Sequence, residues 1–118
     1  MATTAIRDSR LVIRFSWWER LLVRRATYET PLAAVTEIEV RDRWSPVIGA
    51  RAGLIVTGLL KVGTWRSPGA VRLVCMKRGL PTLRVVLDRG RSGGGFDELL
   101  IGSSHARETQ AEFRATRT

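Results

Sequence analysis

The feature that most constrains the fold is a series of short stretches in which apolar and polar residues alternate, with no crossover helices between them. RLVIRF (10–15) places Leu11, Ile13 and Phe15 on one side, and AAVTEIEVRDR (33–43) repeats the two-residue period. This period is typical of half-buried strands, and strands without crossover helices pair antiparallel. The remaining stretches of strand type are LIVTGLLKVGTW (54–65), VRLVCMK (71–77), LRVVLD (83–88) and FDELLIG (96–102).

The connecting segments are less regular. Residues 1–9 are small and polar, which predicts a loose tail. SWWERLLVRRATYETP (16–31) fits either a helical turn or a strand. RGLP (78–81) predicts a hairpin connection, and RGRSGGG (89–95) predicts a flexible loop.

The end of the chain changes to a helical pattern. Ser103 or Ser104 is suited to cap a helix. The residues that then recur at helical spacing are Ala106, Thr109 or Gln110, and Phe113. We expect a helix from about 104 to 116. The whole chain, 1–118, then reads as a single mainly β domain, a small barrel or sandwich of about seven strands plugged by this helix.

Glycines recur between apolar residues in GARAGLIVTGLLKVGTWRSPG (49–69). A phosphate-binding loop needs GxxxxGK[ST], whereas Leu-Leu follows Gly58 and Thr-Trp follows Gly63. No GxGxxG fingerprint is present either, so no small-molecule cofactor is expected. Arg51 and Lys61 bracket too few apolar residues for a membrane helix, which needs ~20. We therefore favour strands whose glycines allow a bend or a close approach of two backbones.

The chain carries 20 Lys and Arg residues against 11 Asp and Glu residues, a formal net charge of +9. This charge attracts nucleic acid and anionic lipid, although cations spread along the whole chain are also typical of a compositional background. The single cysteine and single histidine exclude an internal disulfide and a Cys/His metal site. With no apolar signal segment at the N-terminus, we expect a cytoplasmic protein, either free or peripheral at the inner membrane face.

Cations near the first hairpin and the glycine-rich segment are the candidate anion-binding residues. They are Arg20, Arg24, Arg25, Arg43, Arg51, Lys61 and Arg66. Nearby, Trp17 and Trp18 either expose one ring as an anchor for a partner or both pack at the mouth of the barrel. Trp44 and Trp65 are each next to an arginine, which predicts either cation–π stacking at the surface or a shared basic and aromatic groove for a ligand.

No residue pattern indicates catalysis. No serine lies in a nucleophile elbow, and His105 is expected to pair with Glu108 one turn further on. Cys75 lies in an alternating strand and is expected in the core. The paired carboxylates expected only to balance charge are Glu37 with Glu39 and Asp97 with Glu98. We therefore expect no enzymatic activity.

Two segments, PLAAVTEIEV (31–40) and GARAG…GLLKVGTWRS (49–67), carry a family resemblance. With Glu19 in the short segment before them, they are similar to bacterial pleckstrin-homology-like proteins, especially small actinobacterial ones. The resemblance runs from about Arg10 to Arg114. It implies a bent antiparallel barrel of seven strands closed at one end by the C-terminal helix, in which Phe113 stands where eukaryotic domains carry a tryptophan.

The function expected from these observations is that of a non-enzymatic binding module. Its partner would be a protein or a second copy of the chain, since edge strands can be extended by another chain, or an anionic membrane surface. The alternative is a small basic barrel that binds nucleic acid. That alternative requires tryptophans exposed together among cations.

Overall fold

The computed structural model describes residues 2–42, 50–56, 60–88 and 96–117. These residues form nine strands, one short 3-10 turn over Leu32–Ala34 and two α-helices. The strands are β1 (Thr3–Arg7), β2 (Arg10–Arg14), β3 (Thr27–Pro31), β4 (Val35–Arg41), β5 (Ala50–Val56), β6 (Leu60–Ser67), β7 (Ala70–Lys77), β8 (Thr82–Leu87) and β9 (Glu98–Gly102). The helices are α1 (Trp17–Val23) and α2 (Ala106–Arg117).

The strands form two sheets. β1, β2 and β3 make an antiparallel sheet of three, and the other strands make a sheet of six in the order β4-β8-β9-β7-β6-β5. Residues from both sheets and both helices share one core. The predicted mainly β fold with a C-terminal helix is confirmed, as a sandwich-like arrangement. Within the described residues the larger sheet is open, because β4 and β5 each pair on one side only, and it does not close into the predicted barrel.

The N-terminal segment forms a strand, so the prediction of a loose tail over 1–9 is wrong. β1 pairs with β2 across a tight turn in which Asp8 and Ser9 have φ of 50° and 62°, a conformation that hairpin turns favour. Thr4 is buried, and its hydroxyl is hydrogen-bonded to the Thr109 hydroxyl of α2 at 2.8 Å. Threonine is β-branched and suits strands, although it contributes little to the hydrophobicity of the segment.

β9 lies between β7 and β8, which corrects two predictions. It pairs antiparallel with β8 but parallel with β7, so the sheet is mixed. RGLP (78–81) therefore does not join two adjacent strands as a hairpin. Leu99, Leu100 and Ile101 of β9 are all buried. A strand covered on both faces has a continuous apolar run instead of alternation, and this run marks β9 as a central strand.

The ambiguous segment 16–31 contains both a helix and a strand. α1 ends at Arg24, whose φ of 60° is in the left-handed region that stops helices. β3 follows and pairs with β2, with Tyr28 and Thr30 buried on its inner side. The chain thus leaves the small sheet, crosses to the large one as a helix and returns.

Gly53 of β5 lies directly opposite Gly63 of β6. A Cβ atom added to Gly53 would collide with the Val62 carbonyl oxygen and would lie 2.7 Å from the Gly63 Cα. Gly63 itself has a φ of 144°. The predicted close approach of two backbones is confirmed at this pair, whereas Gly49 and Gly58 lie outside the described residues.

Candidate functional site

A buried carboxylate holds α1 over the large sheet. Glu19 Oε1 accepts hydrogen bonds from the Ser16 N–H (2.8 Å) and hydroxyl (2.6 Å), and Oε2 accepts one from the Cys75 thiol of β7 (2.5 Å). Ser16 and Glu19 form a capping box that fixes the start of the helix. Burial raises the pKa of the Cys75 thiol, and the hydrogen bond to Glu19 raises it further. Cys75 is therefore protonated. It lies in the core, as the alternation of its strand predicted.

The solvent side of α1 carries both apolar and basic residues. Trp17 is 76% exposed and Leu21 is 75% exposed. Because they are four residues apart, they share one side of the helix. Arg20 and the helix-terminal Arg24 are exposed beside them. Large apolar side chains exposed together next to cations are typical of interaction surfaces.

The apolar face of the large sheet continues past its cover at β5. Four residues lie side by side across β9, β7, β6 and β5: Ile101, Cys75, Val62 and Leu54. The first three are fully buried, but Leu54 is 41% exposed. α1 lies on this same face, since Glu19 contacts Cys75. The row of core residues therefore extends one strand further than the elements that cover it.

A groove of about 280 Å³ separates α1 from β5. The residues that line it are Leu21, Leu22, Arg24 and Gly53. The groove and the exposed side chains of α1 and β5 beside it form one surface that is both apolar and basic. We call Trp17, Arg20, Leu21, Arg24 and Leu54 the docking patch.

The docking patch contains two of the predicted anion-binding cations, Arg20 and Arg24. Arg20 Nε donates a hydrogen bond to the Phe15 carbonyl oxygen at 3.2 Å, which holds its side chain at the end of β2. Arg25 is half-buried, and its guanidinium carbon lies 5.6 Å from the Tyr28 ring centroid and 5.0 Å from that of Phe96. Arg25 thus packs between β3 and the segment before β9, where it has a cation–π role.

Two more of the predicted cations, Lys61 and Arg66, are described and are not part of the docking patch. Lys61 lies on the opposite face of the sheet, because its cross-strand partner Met76 belongs to a separate apolar cluster there. This outer apolar cluster consists of Trp65, Val74, Met76 and Leu100. Burial lowers the pKa of the Lys61 amine. Arg66 is exposed near the other end of β6. Arg43 and the side chain of Arg51 lie outside the described residues.

The three described tryptophans, Trp17, Trp18 and Trp65, do not share one surface. Trp17 is exposed, so the alternative in which both Trp17 and Trp18 pack inward is wrong, and Trp18 is half-buried against the core. Trp65 is only 2% exposed within the outer apolar cluster. The predicted surface stacking of Trp65 on Arg66 is therefore wrong, since successive strand residues point to opposite faces. Trp44 lies outside the described residues.

Charge is distributed unevenly over the described surface. On the outer face of the large sheet, Arg84 lies 3.7, 3.4 and 3.4 Å from the carboxylates of Glu37, Glu39 and Glu98, as predicted for charge-balancing pairs. A hydrogen bond from Arg41 lowers the pKa of Glu39. Between residues 7 and 25, by contrast, the sequence has six arginines and two acids, of which Glu19 is buried. The excess positive charge among the described residues is concentrated around the first hairpin and α1.

A second basic surface was not predicted as a site. On the outer face of the three-stranded sheet, a hollow of about 130 Å³ is lined by Thr3, Ala5, Arg7, Val12 and Arg14. Arg7 lies directly opposite Arg10. Of Arg7, Arg10 and Arg14, Arg10 alone has a described carboxylate nearby, that of Glu29 at 3.7 Å. This surface lacks large exposed apolar residues, so it differs in character from the docking patch.

The described residues hold no group of three or more His, Cys, Asp or Glu side chains that could bind a metal ion. His105 Nδ1 lies 3.2 Å from Glu108 Oε2, as predicted for this pair. Neither described helix is long and apolar enough to cross a membrane.

Leu21 and Leu54 were missed as site residues in the sequence. The signal for Leu21 was its spacing of four residues from Trp17, which becomes informative once the segment is known to be helical. Leu54 carries no such signal, because its exposure depends on the position of β5 at the edge of the sheet. Comparisons of the chain with protein-family models, with curated proteins and with solved structures found no match.

Proposed function

We propose that the protein is a non-enzymatic binding module, of pleckstrin-homology-like type, that contacts a partner in the cytoplasm through the docking patch. The observation that carries this proposal is the exposure of Trp17 and Leu21 on one side of α1, beside Arg20 and Arg24. Aromatic residues and arginines dominate the binding energy of protein interfaces. A helix pinned by Glu19 presents them without the entropy loss of ordering a flexible segment.

The sign of the charge selects among partners. The net charge is +9, and a second copy docked patch to patch would place Arg20 and Arg24 against the same residues. Like charges across an interface oppose association. An acidic protein is therefore favoured over a second copy of the chain.

Photo-cross-linking tests the docking patch. Trp17 is replaced by p-benzoylphenylalanine, and in a control protein the exposed Arg114 of α2 is replaced instead. In cells that express the chain naturally, we expect an adduct from position 17 that disappears when Arg20 and Arg24 are changed to glutamate. Equal adducts from both positions, or none from position 17, would reject the docking patch as the binding surface.

An anionic membrane surface is the second candidate. A tryptophan and a leucine on one side of a helix, flanked by arginines, fit the boundary between headgroups and acyl chains. Sedimentation with vesicles of phosphatidylserine and phosphatidylcholine, compared with phosphatidylcholine alone, tests this reading. Binding to the anionic vesicles that is lost in Trp17→Ala supports it, and equal sedimentation with both kinds of vesicle contradicts it.

A further inference from the structure

We propose that the edge of β5 binds an extended acidic segment of a partner protein as a seventh strand of the large sheet. This inference rests on the proposed function, because it specifies what the partner brings to the docking patch. It makes the binding surface a combination of backbone hydrogen bonds along β5 and side-chain contacts in the adjoining groove.

The backbone of β5 provides the first argument. β5 spans seven residues, Ala50–Val56, and all seven are paired with β6 on one side. In the part of the chain that the structure describes, no strand pairs with its other side. An edge strand of this length presents a row of backbone N–H and C=O groups to an extended peptide. Main-chain hydrogen bonds of this kind supply affinity with little dependence on sequence.

The row of core residues across the sheet provides the second argument. Leu54 continues the row of Cys75 and Val62 but is not covered as they are. An added strand would place alternate side chains on the same face. An apolar side chain at the position beside Leu54 would cover it, and its neighbour two residues along would lie over the groove next to Leu21. The partner segment should therefore carry an apolar residue at the position beside Leu54.

Charge provides the third argument. Arg24 lines the groove, and none of the described residues that line it is acidic. Arg20 is exposed on the same side of α1. An acidic side chain two residues from that apolar one, and so on the face of the partner segment that α1 occupies, would pair with these arginines, whereas a basic segment would be repelled. The partner is therefore an acidic and aliphatic strand, not a second copy of this basic chain.

The test uses a synthetic peptide as long as β5, with a fluorescent label for anisotropy. Every second residue of the peptide is threonine, and the residues between them, which share one face, are alternately valine and glutamate. Two further versions carry N-methyl groups on alternate amides, one on the odd and one on the even positions. Successive amides of a strand point to opposite sides, so only one set faces β5. We expect one methylated peptide to bind at least about tenfold more weakly and the other to bind like the parent. Binding driven by charge alone would leave both unchanged and would overturn the proposal.

Protein variants locate the contact. Leu54→Asp should weaken binding about tenfold or more, since it removes the apolar contact and repels the peptide. Arg24→Glu and Arg14→Glu change the net charge equally, but Arg14 lies at the hollow of the small sheet. We expect a clearly larger loss for Arg24→Glu. Hydrogen exchange should slow over residues 50–56 when the peptide is bound.

The outcomes separate the two proposals. Equal effects of the Arg24 and Arg14 variants, no change in exchange over residues 50–56, or no binding at about 1 mM peptide would each overturn the added strand. If an adduct still forms specifically at position 17, the docking patch remains and only its mode of contact is wrong. If that adduct is also missing, the proposed function itself fails.

Discussion

The Cys75 thiol donates a hydrogen bond to the Glu19 carboxylate across 2.5 Å, although the two residues are 56 positions apart in the sequence. Glu19 belongs to α1 and Cys75 to β7, so this contact joins the helix that carries the docking patch to the centre of the large sheet. Because both groups are buried, losing either partner leaves an unsatisfied polar group in the core.

Glu19→Ala should lower the free energy of unfolding by about 2–4 kcal/mol, because it removes a helix cap and three hydrogen bonds to a buried carboxylate. Urea denaturation followed by circular dichroism measures the change. Glu108→Ala removes a carboxylate of the same type from an exposed site on α2 and should change the stability by less than about 0.5 kcal/mol. Similar values for the two variants would show that the buried contact contributes little.

Stability should depend on pH through Cys75. The raised pKa keeps the thiol protonated in the folded protein, whereas in the unfolded chain it ionises near its ordinary value of 9.0. Unfolding then releases a proton above about pH 9, so the free energy of unfolding falls as the pH rises, by up to about 1.4 kcal/mol per pH unit. Cys75→Ser lacks this contribution. Urea denaturation from pH 8 to 10.5 should show the advantage of the wild type shrinking above pH 9, and parallel profiles would contradict the assignment.

Two tryptophans provide a matched pair of substitutions. Trp65→Ala empties a site in the outer apolar cluster and should cost about 3–5 kcal/mol. Trp17→Ala removes an exposed ring and should change stability by less than about 0.5 kcal/mol, while weakening partner binding. Chemical denaturation of both variants checks the first part. A large destabilisation by Trp17→Ala would mean that this ring supports the fold and is not reserved for a partner.

Gly53→Ala should disrupt the pairing of β5 with β6, because the new methyl group meets the Val62 carbonyl oxygen. We expect a loss of roughly 1–3 kcal/mol and faster hydrogen exchange in both strands. Gly69→Ala is the control: a Cβ there meets nothing within 4 Å, although its φ of 79° makes the substitution strained. Hydrogen exchange of Gly69→Ala over residues 50–56 should match that of the wild type. If Gly53→Ala also exchanges like the wild type over residues 50–56, the two backbones do not approach as closely as described.

Nucleic-acid binding should be electrostatic only. With one strongly exposed tryptophan among the described residues, no stacking platform of several rings is available to bases. Titration of single-stranded DNA over a salt series should give a slope of about −0.7 per neutralised phosphate, with the same affinity for wild type and Trp17→Ala. A loss of about tenfold in the variant would favour the nucleic-acid alternative.

The spacing of apolar residues within a segment correctly predicted the strand over residues 10–15 and the C-terminal helix, because the burial of each depends on its own periodicity. Leu11, Ile13 and Phe15 are buried as their alternation indicated, and in α2 Ala106 and Phe113 face the core. α2 begins at Ala106, close to the expected start. In each case a single amphipathic element meets a single core, so its own periodicity is sufficient.

The order of the strands in the large sheet and the position of the docking patch could not be predicted. Both depend on contacts between residues that are far apart in the sequence. The insertion of β9 between β7 and β8 places residues 98–102 beside strands that precede them in the chain, and hydrophobic alternation does not specify which strands pair. The anchoring of α1 by Cys75 and the exposure of Leu54 both follow from this order. The sequence grouped Lys61 with Arg24 as candidate cations, although Lys61 lies on the face of the large sheet opposite α1. Only the register of the strands assigns such a face.

The position of β9 also has a consequence for how the polypeptide folds during synthesis. Among the described strands, β4 and β8 form one part of the large sheet and β5, β6 and β7 form another, and only β9 connects them. Since β9 is the last of these strands to be made, the two parts cannot join into one sheet before residues 98–102 are available. Until then β8 and β7 each have an unpaired edge, at which newly made chains are open to association with one another.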